Sequence, residues 1–170
     1  MPTLNRAKKR KKALEKIISI IDNSTHALAI HYSCESFYDT PNGRTPRITS
    51  IAVRYLVTGQ TKSFSIHKIA ELKGVPFEMI EEKYNELESN MLSDYYSFVR
   101  DHRAFIWVHW NMRDINYGFE AIDHRYSVLG GTPEIISDDN KIDLSRYLVD
   151  IFGLRYIAHP RFQKIIKKII

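Results

Sequence analysis

The sequence predicts an α/β fold built on a mixed sheet. Three observations carry this. Residues 26–67 hold three short apolar or alternating runs separated by turn signals, the pattern of an antiparallel three-stranded meander. Residues 77–99 then repeat apolar side chains at helical spacing. A continuous apolar run at Phe105–Trp110 follows, with further helical patterns behind it. The chain has 170 residues, 44% hydrophobic and 26% charged. That is enough for one domain with a sizeable core, and it excludes wholesale disorder.

The elements follow in order. Leu4, Ala7, Lys11, Leu14, Ile18 and Ile21 recur every three or four residues, so residues 4–22 form a helix that Asn23-Ser24 ends. Residues 26–32 (HALAIHY) are an apolar run of strand length. Asp39-Thr-Pro-Asn-Gly43 is a turn signal. Arg47–Val57 alternates, with apolar residues on both faces, as a buried strand does. Thr58-Gly59-Gln60 is a tight connection, and Lys62–His67 alternates as a half-buried strand. Phe77, Ile80, Tyr84, Leu87, Met91, Tyr95 and Phe98 mark a helix of about six turns. Phe105–Trp110 is a buried strand. Asn116–Leu129 is a helix closed by Gly130-Gly131. Ser137–Asn140 is a loop, Ile142–Phe152 a helix, and Pro160 opens or interrupts a last basic helix.

Residues 1–23 thus read as a basic N-terminal helix and 24–170 as a single α/β domain, without repeats or low-complexity tracts. The last residues, Ile169-Ile170, fall in a helical pattern with no stop signal, which reads as the N-terminal part of a longer protein.

The charge is unevenly placed. The formal net charge is +5, but residues 1–16 carry +6 and residues 155–170 carry +5, leaving −6 between them. Basic ends suit a phosphate backbone or an anionic surface. Lys8, Lys9, Arg10, Lys11 and Lys12 are the densest run, and a turn at 42–43 would present Arg44 and Arg47 to phosphate. The bland alternative is a set of solvated helix ends.

Cys34 is the single cysteine, which excludes an intramolecular disulfide and a Cys-based zinc site and favours a reducing, cytoplasmic setting. No apolar run approaches the ~20 residues of a membrane-spanning helix. No secretory signal pattern follows the basic N-terminus. The sequence carries no P-loop, nucleophile elbow or zincin motif.

Within residues 26–160, three antiparallel strands, a crossover helix, a further strand and more helices resemble the RNase H-like fold. In more detail the chain resembles the DEDD family of 3′–5′ exonucleases. The family's first-strand Asp-x-Glu falls on Ser33-Cys34-Glu35. Its His-Asn segment and following Asp fall on His109-Trp110-Asn111-Met112-Arg113-Asp114. A later Asp before a helix falls on Asp143, and a terminal His on His159. The resemblance implies Glu35, Asp114 and Asp143 as ligands of Mg²⁺ or Mn²⁺, with His159 as a fourth catalytic group, acting on nucleic acid. The departures count against activity: Ser33 replaces the first Asp, and Gln163 and Lys164 stand where the last is expected. A degenerate, non-catalytic module that binds nucleic acid or a protein partner is the alternative. The stretches HYSCESFYD, GRTPRITSIAVR, VHWNMRDINYGFEAI and DLSR also resemble a family of bacterial hypothetical proteins, which implies one domain and no activity.

Each residue also has a plain structural role to weigh. Glu35 would otherwise pair with Arg47, Arg54 or Arg113. Asp114 and Asp143 would cap helices. His31 and His109 are expected as core histidines, and Cys34 as an inert buried thiol. Asp39 lies four residues after Glu35. Tyr32, Phe37, Tyr38 and Tyr55 would either stack on bases or pack in the core.

Overall fold

The computed structural model describes residues 2–36, 45–114 and 117–169. They divide into two compact units. One is Ser24–Asp143. The other joins Met1–Asn23 to Leu144–Ile170, so the basic amino-terminal helix is grouped with the carboxy-terminal segment.

The larger unit is an open mixed sheet with helices. The sheet runs through β1 (Ala27–Cys34), β2 (Ile48–Tyr55), β3 (Thr61–Ser65), β4 (Ile106–His109) and β7 (Lys141–Asp143) in the spatial order β3-β2-β1-β4-β7. Strands β1 to β3 pair antiparallel, as the meander predicts, and β4 and β7 add parallel beyond β1. A short hairpin, β5 (Arg113–Asp114) with β6 (Tyr117–Gly118), stands between β4 and β7 in sequence. The helices of this unit are α2 (Ile66–Leu72), α3 (Tyr84–His102) and α4 (Phe119–Val128).

Alternation decides which side of the sheet is covered. Leu28, Ile30 and Tyr32 are buried on β1, while His31 and Ser33 between them are exposed. The paired residues Ile51, Val53, Trp107 and His109 lie in the same rows and are buried too. On the other face Ala52 and Arg54 are exposed, so β2 is half-buried and not buried on both faces as its composition suggests. His31, expected in the core, stands on this open face. A bulge at Ser33/Cys34 makes Cys34 face Ile48, two residues on from Ser50, which re-phases Ile48 into the core. Leu87, Met91, Leu92, Tyr95 and Val99 of α3 cover the buried face at helical spacing.

Four local readings change. Tyr117–Gly118 is strand, so the helix expected from Asn116 begins at Phe119. Lys62–His67 is not strand throughout: Ser65 ends β3 and caps α2 by accepting from the Lys68 N–H at 3.3 Å. The helix expected from Phe77 begins at Tyr84, after a 3-10 turn at Phe77–Met79. Residues 141–143 are strand, so the helix expected from Ile142 begins at Leu144.

The smaller unit contains α1 (Pro2–Asp22), α5 (Leu144–Phe152) and α6 (Arg161–Ile169). Pro2 sits at the first helical turn, where its missing N–H is harmless. Asn23 closes α1, its backbone and side-chain amides both donating to the Ser19 carbonyl. α1 packs along α5, and the Arg10 guanidinium donates to the Ile151 carbonyl at 3.2 Å. Gly153 ends α5 with φ +93, donating to the Val149 carbonyl, a left-handed C-terminal position that favours glycine. No helix among the described residues is long and apolar enough to cross a membrane.

Candidate nucleic-acid interface

The parallel strands β4 and β7 end level with Ile30 of β1, which itself continues to Cys34, and two of the sequence-derived acids follow or end these strands. Glu35 follows β1 directly and is exposed; its N–H donates to the Arg47 carbonyl at 2.9 Å, prolonging the β1–β2 ladder. Asp143 is the last residue of β7 and is buried, directly beside His109 in register. Its carboxylate accepts the Asn111 N–H at 3.1 Å and pairs with the Arg113 guanidinium at 3.0 Å. Asn111 reaches this position with φ +58, a conformation asparagine tolerates better than most residues. Asp114 closes β5 and is described by its backbone alone.

His109 is the core histidine the sequence suggests. Its Nδ1 accepts the Met112 N–H at 3.1 Å, so the proton belongs on Nε2. Burial lowers its pKa, and Arg113 and Lys141 push the same way, against the opposing pull of Asp143. Cys34 is half-buried, and burial raises its thiol pKa, which opposes nucleophilic use. Gly118 is required at this edge: a Cβ there would stand 2.7 Å from the Met112 carbonyl carbon. Its N–H donates to the Tyr32 hydroxyl, and the Tyr32 ring stacks on Tyr117 at 4.8 Å. Tyr32 is therefore a packing residue.

Among the described residues no group of three or more His, Cys, Asp or Glu side chains could hold a metal ion. The Asp114 carboxylate is not among them. With Asp143 already engaged by Arg113, the described donors do not form a ready site for Mg²⁺ or Mn²⁺, and no catalytic step follows from them.

The basic residues are differently disposed. Lys8, Lys9, Arg10, Lys11 and Lys12 are all exposed on α1. Arg47 belongs to the larger unit and is committed there, paired with Glu81 at 2.7 Å and lying over the Tyr84 ring at 4.6 Å. Arg44, with Asp39, Phe37, Tyr38 and the turn at 39–43, lies outside the described residues. His159 is exposed and falls in the smaller unit, as do the lysines of α6. Counted by unit, the smaller one holds 13 Lys and Arg against 3 Asp and Glu, a net +10. The larger holds 12 against 17, a net −5.

Two features escape sequence reading. The first is a buried ion pair. Glu88 on α3 is 0% exposed and Arg125 on α4 is 5% exposed. The Arg125 Nε donates to both Glu88 oxygens at 3.0 and 3.1 Å, and its terminal nitrogens reach Thr45 and Asn85. Glu88 Oε1 also accepts the Ile48 N–H at 2.6 Å. Every element here would otherwise leave a polar group unpaired in the core, so the pair ties α3, α4 and the start of β2 together. The second is a groove in the smaller unit with a volume of about 1010 Å³, bordered by Arg6 and Lys9 of α1 and by residues 149–156. The signal for it is a pair of cations three residues apart on one helix and the aromatic-basic run Phe152-Gly-Leu-Arg-Tyr156.

Together these features define an α/β protein with a separate, strongly basic helical unit. Compared with protein-family models, with curated proteins and with solved structures, the chain has no match.

Proposed function

We propose that this chain is an RNase H-like α/β protein that binds nucleic acid through its basic helical unit. The observation that carries the reading is the division of charge: +10 on the smaller unit and −5 on the larger. A cationic unit of that density attracts phosphate backbones and releases their counterions, while an acidic neighbour repels them. The RNase H-like assignment is supported by the meander β1–β3, the crossover helix α3 and the parallel strands β4 and β7, which occur in the order that fold requires. A free, half-buried Cys34 accords with a cytoplasmic setting.

The test is a salt series of fluorescence anisotropy with labelled single-stranded DNA and RNA. Binding at 50 mM salt with a log–log slope of about −3 to −5 is expected, matching roughly five to seven phosphates at about −0.7 each. Absence of binding to either strand at 50 mM salt overturns the reading.

A second reading, metal-dependent 3′–5′ exonuclease action with Mg²⁺ or Mn²⁺, is favoured by one observation. Glu35 follows β1 and Asp143 ends β7, strands that run parallel through β4, with Asp143 in register with His109 and Ile30, and Glu35 five residues beyond Ile30. Incubation of the same strands with Mn²⁺, with EDTA and with the exposed-site variant Glu35→Gln separates the two. Degradation lost in EDTA and in the variant supports catalysis. Intact strands under Mn²⁺ leave the binding reading alone.

A further inference from the structure

We infer that the groove of the smaller unit takes single-stranded nucleic acid, with a base against Phe152 and Tyr156 and the adjoining phosphates against Arg6, Lys9 and Arg155. This rests on the nucleic-acid reading above and narrows it to one strand state and one site. All residues bordering the groove belong to that unit. Its volume of about 1010 Å³ is at the top of the range of about 300–1,000 Å³ for ligand pockets, and suits a nucleotide or two of an open strand.

The chemistry of the walls is what a nucleotide needs. Arg6 and Lys9 stand three residues apart on α1 and so share a face. Both are exposed, as is Arg155 across the groove. Against these three cations the lining has one acid, Asp150. Phe152 and Tyr156 form an aromatic corner, with centroids 6.0 Å apart and planes inclined by 35°. Arg161 backs the Tyr156 ring at 5.7 Å and is itself held by the Leu154 carbonyl at 2.9 Å. The Tyr156 ring is therefore supported by a held guanidinium, and both rings line the groove. Phe152 is 60% exposed, an unfavourable position for a phenyl ring with nothing on it. Gly153 keeps the groove open on its Arg6 side: a Cβ there would stand 2.8 Å from the Arg6 guanidinium.

A duplex cannot present a base to these rings, because its bases are stacked inside. A flexible single strand can, and stacking on aromatic side chains is tolerant of sequence.

Full-length protein is titrated with labelled oligo-dT, oligo-rU and a duplex of equal length, with adenosine monophosphate and inorganic phosphate as competitors. Single strands are expected to bind at least tenfold tighter than duplex. Phe152→Ala should weaken single-strand binding about 10- to 100-fold without changing the salt slope. Arg155→Gln should lower that slope by about 0.7, the share of one phosphate. Competition by adenosine monophosphate but not by phosphate marks the groove as reading base and phosphate together. Full competition by phosphate alone overturns the base contact. If wild type binds single strands and Phe152→Ala binds them equally, the groove is not the site, while the nucleic-acid reading stands. If duplex binds as tightly as single strand, the strand-state inference falls. If no oligonucleotide binds, both readings fall together.

Discussion

The acidic unit of residues 24–143 and the basic unit formed by the two ends of the chain bury their apolar residues to different extents. In the first, a continuous cluster from Leu28 to Ile136 packs the sheet against α3 and α4, and even its charged residues Glu88 and Arg125 are enclosed. In the second, Ala13, Ile20 and Ile151 are buried, while Leu4, Ile18, Ile21, Phe152, Leu154, Phe162 and Ile166 remain exposed. The first unit has the internal order that gives a single cooperative structure. The second keeps apolar and cationic groups on its surface, at a cost in hydration and in self-repulsion. That cost has a reason if the surface is where a partner binds.

The largest expected effect is in local stability. Amides of α6 and α1 should exchange hydrogen at least about 100-fold faster than those of β1 and α3, since few buried contacts guard them. Raising salt should slow exchange in the basic unit by screening its +10 charge, and leave the β-sheet amides nearly unchanged. Equal protection in both units, measured by exchange mass spectrometry, would remove the contrast.

Next comes the ion pair that distinguishes the acidic unit's core. Arg125→Ala leaves the fully buried Glu88 carboxylate without its partner, and should cost about 3–5 kcal/mol in urea unfolding. The double replacement Glu88→Leu with Arg125→Leu should recover part of that loss, because no charge is then stranded. A single-variant cost below about 1 kcal/mol would mean that water reaches the pair.

A smaller effect concerns Asp123, which accepts from the Tyr96 hydroxyl. Burial raises its carboxyl pKa above the ordinary value of 3.8, assisted by Glu120, although the Tyr96 hydrogen bond and Lys141 pull it down. The folded protein therefore holds a proton that the unfolded chain releases more readily. Stability from this group is full below about pH 3.8 and is lost as pH rises through the higher folded value. Asp123→Asn keeps the acceptor for Tyr96 and removes the charge. It should flatten the decline of the urea midpoint above pH 4 and leave neutral-pH stability equal or higher. A midpoint that falls at neutral pH would show that the charged form is the stabilising one.

The contrast between units was partly legible in the sequence. β2, β3 and α3 follow from period-two and period-3.6 patterns, and β1 and β4 from apolar runs of strand length. The charge at the two ends was also plain, since it needs only counting. α2 was hidden because Lys62–His67 alternates across the junction, and the Ser65 cap lies inside that alternation. β7 was hidden because three residues are too few to show a period, and Ile142 fits the pattern of α5 equally well. Glu88 carried no mark in the sequence, since its partner is 37 positions away and nothing local signals the pairing. The same limit applies at the sheet edge: Asp143 could be picked out as an acid, but its union with Arg113 depends on the turn at Asn111. The groove depended on α1 meeting α5, a contact between the two ends of the chain that composition cannot reveal.

The smallest effect sharpens the role of charge in the basic unit. Lys11 and Glu15 form an ion pair at 3.9 Å with side chains 80% and 63% exposed. Such a pair contributes little to stability, because water and salt screen it and both side chains lose freedom in making it. Glu15→Gln should therefore leave the urea midpoint unchanged. It also raises the unit's net charge from +10 to +11 and frees Lys11 for phosphate. Affinity for single-stranded oligonucleotides should rise about twofold at 50 mM salt. The gain should vanish at 1 M, where the screening length falls to about 3 Å. A gain that survives 1 M salt would show that Glu15 acts through local geometry and not through the field of the unit. A loss of affinity would show that the pair positions Lys11, and that the basic helix binds by shape as well as by charge.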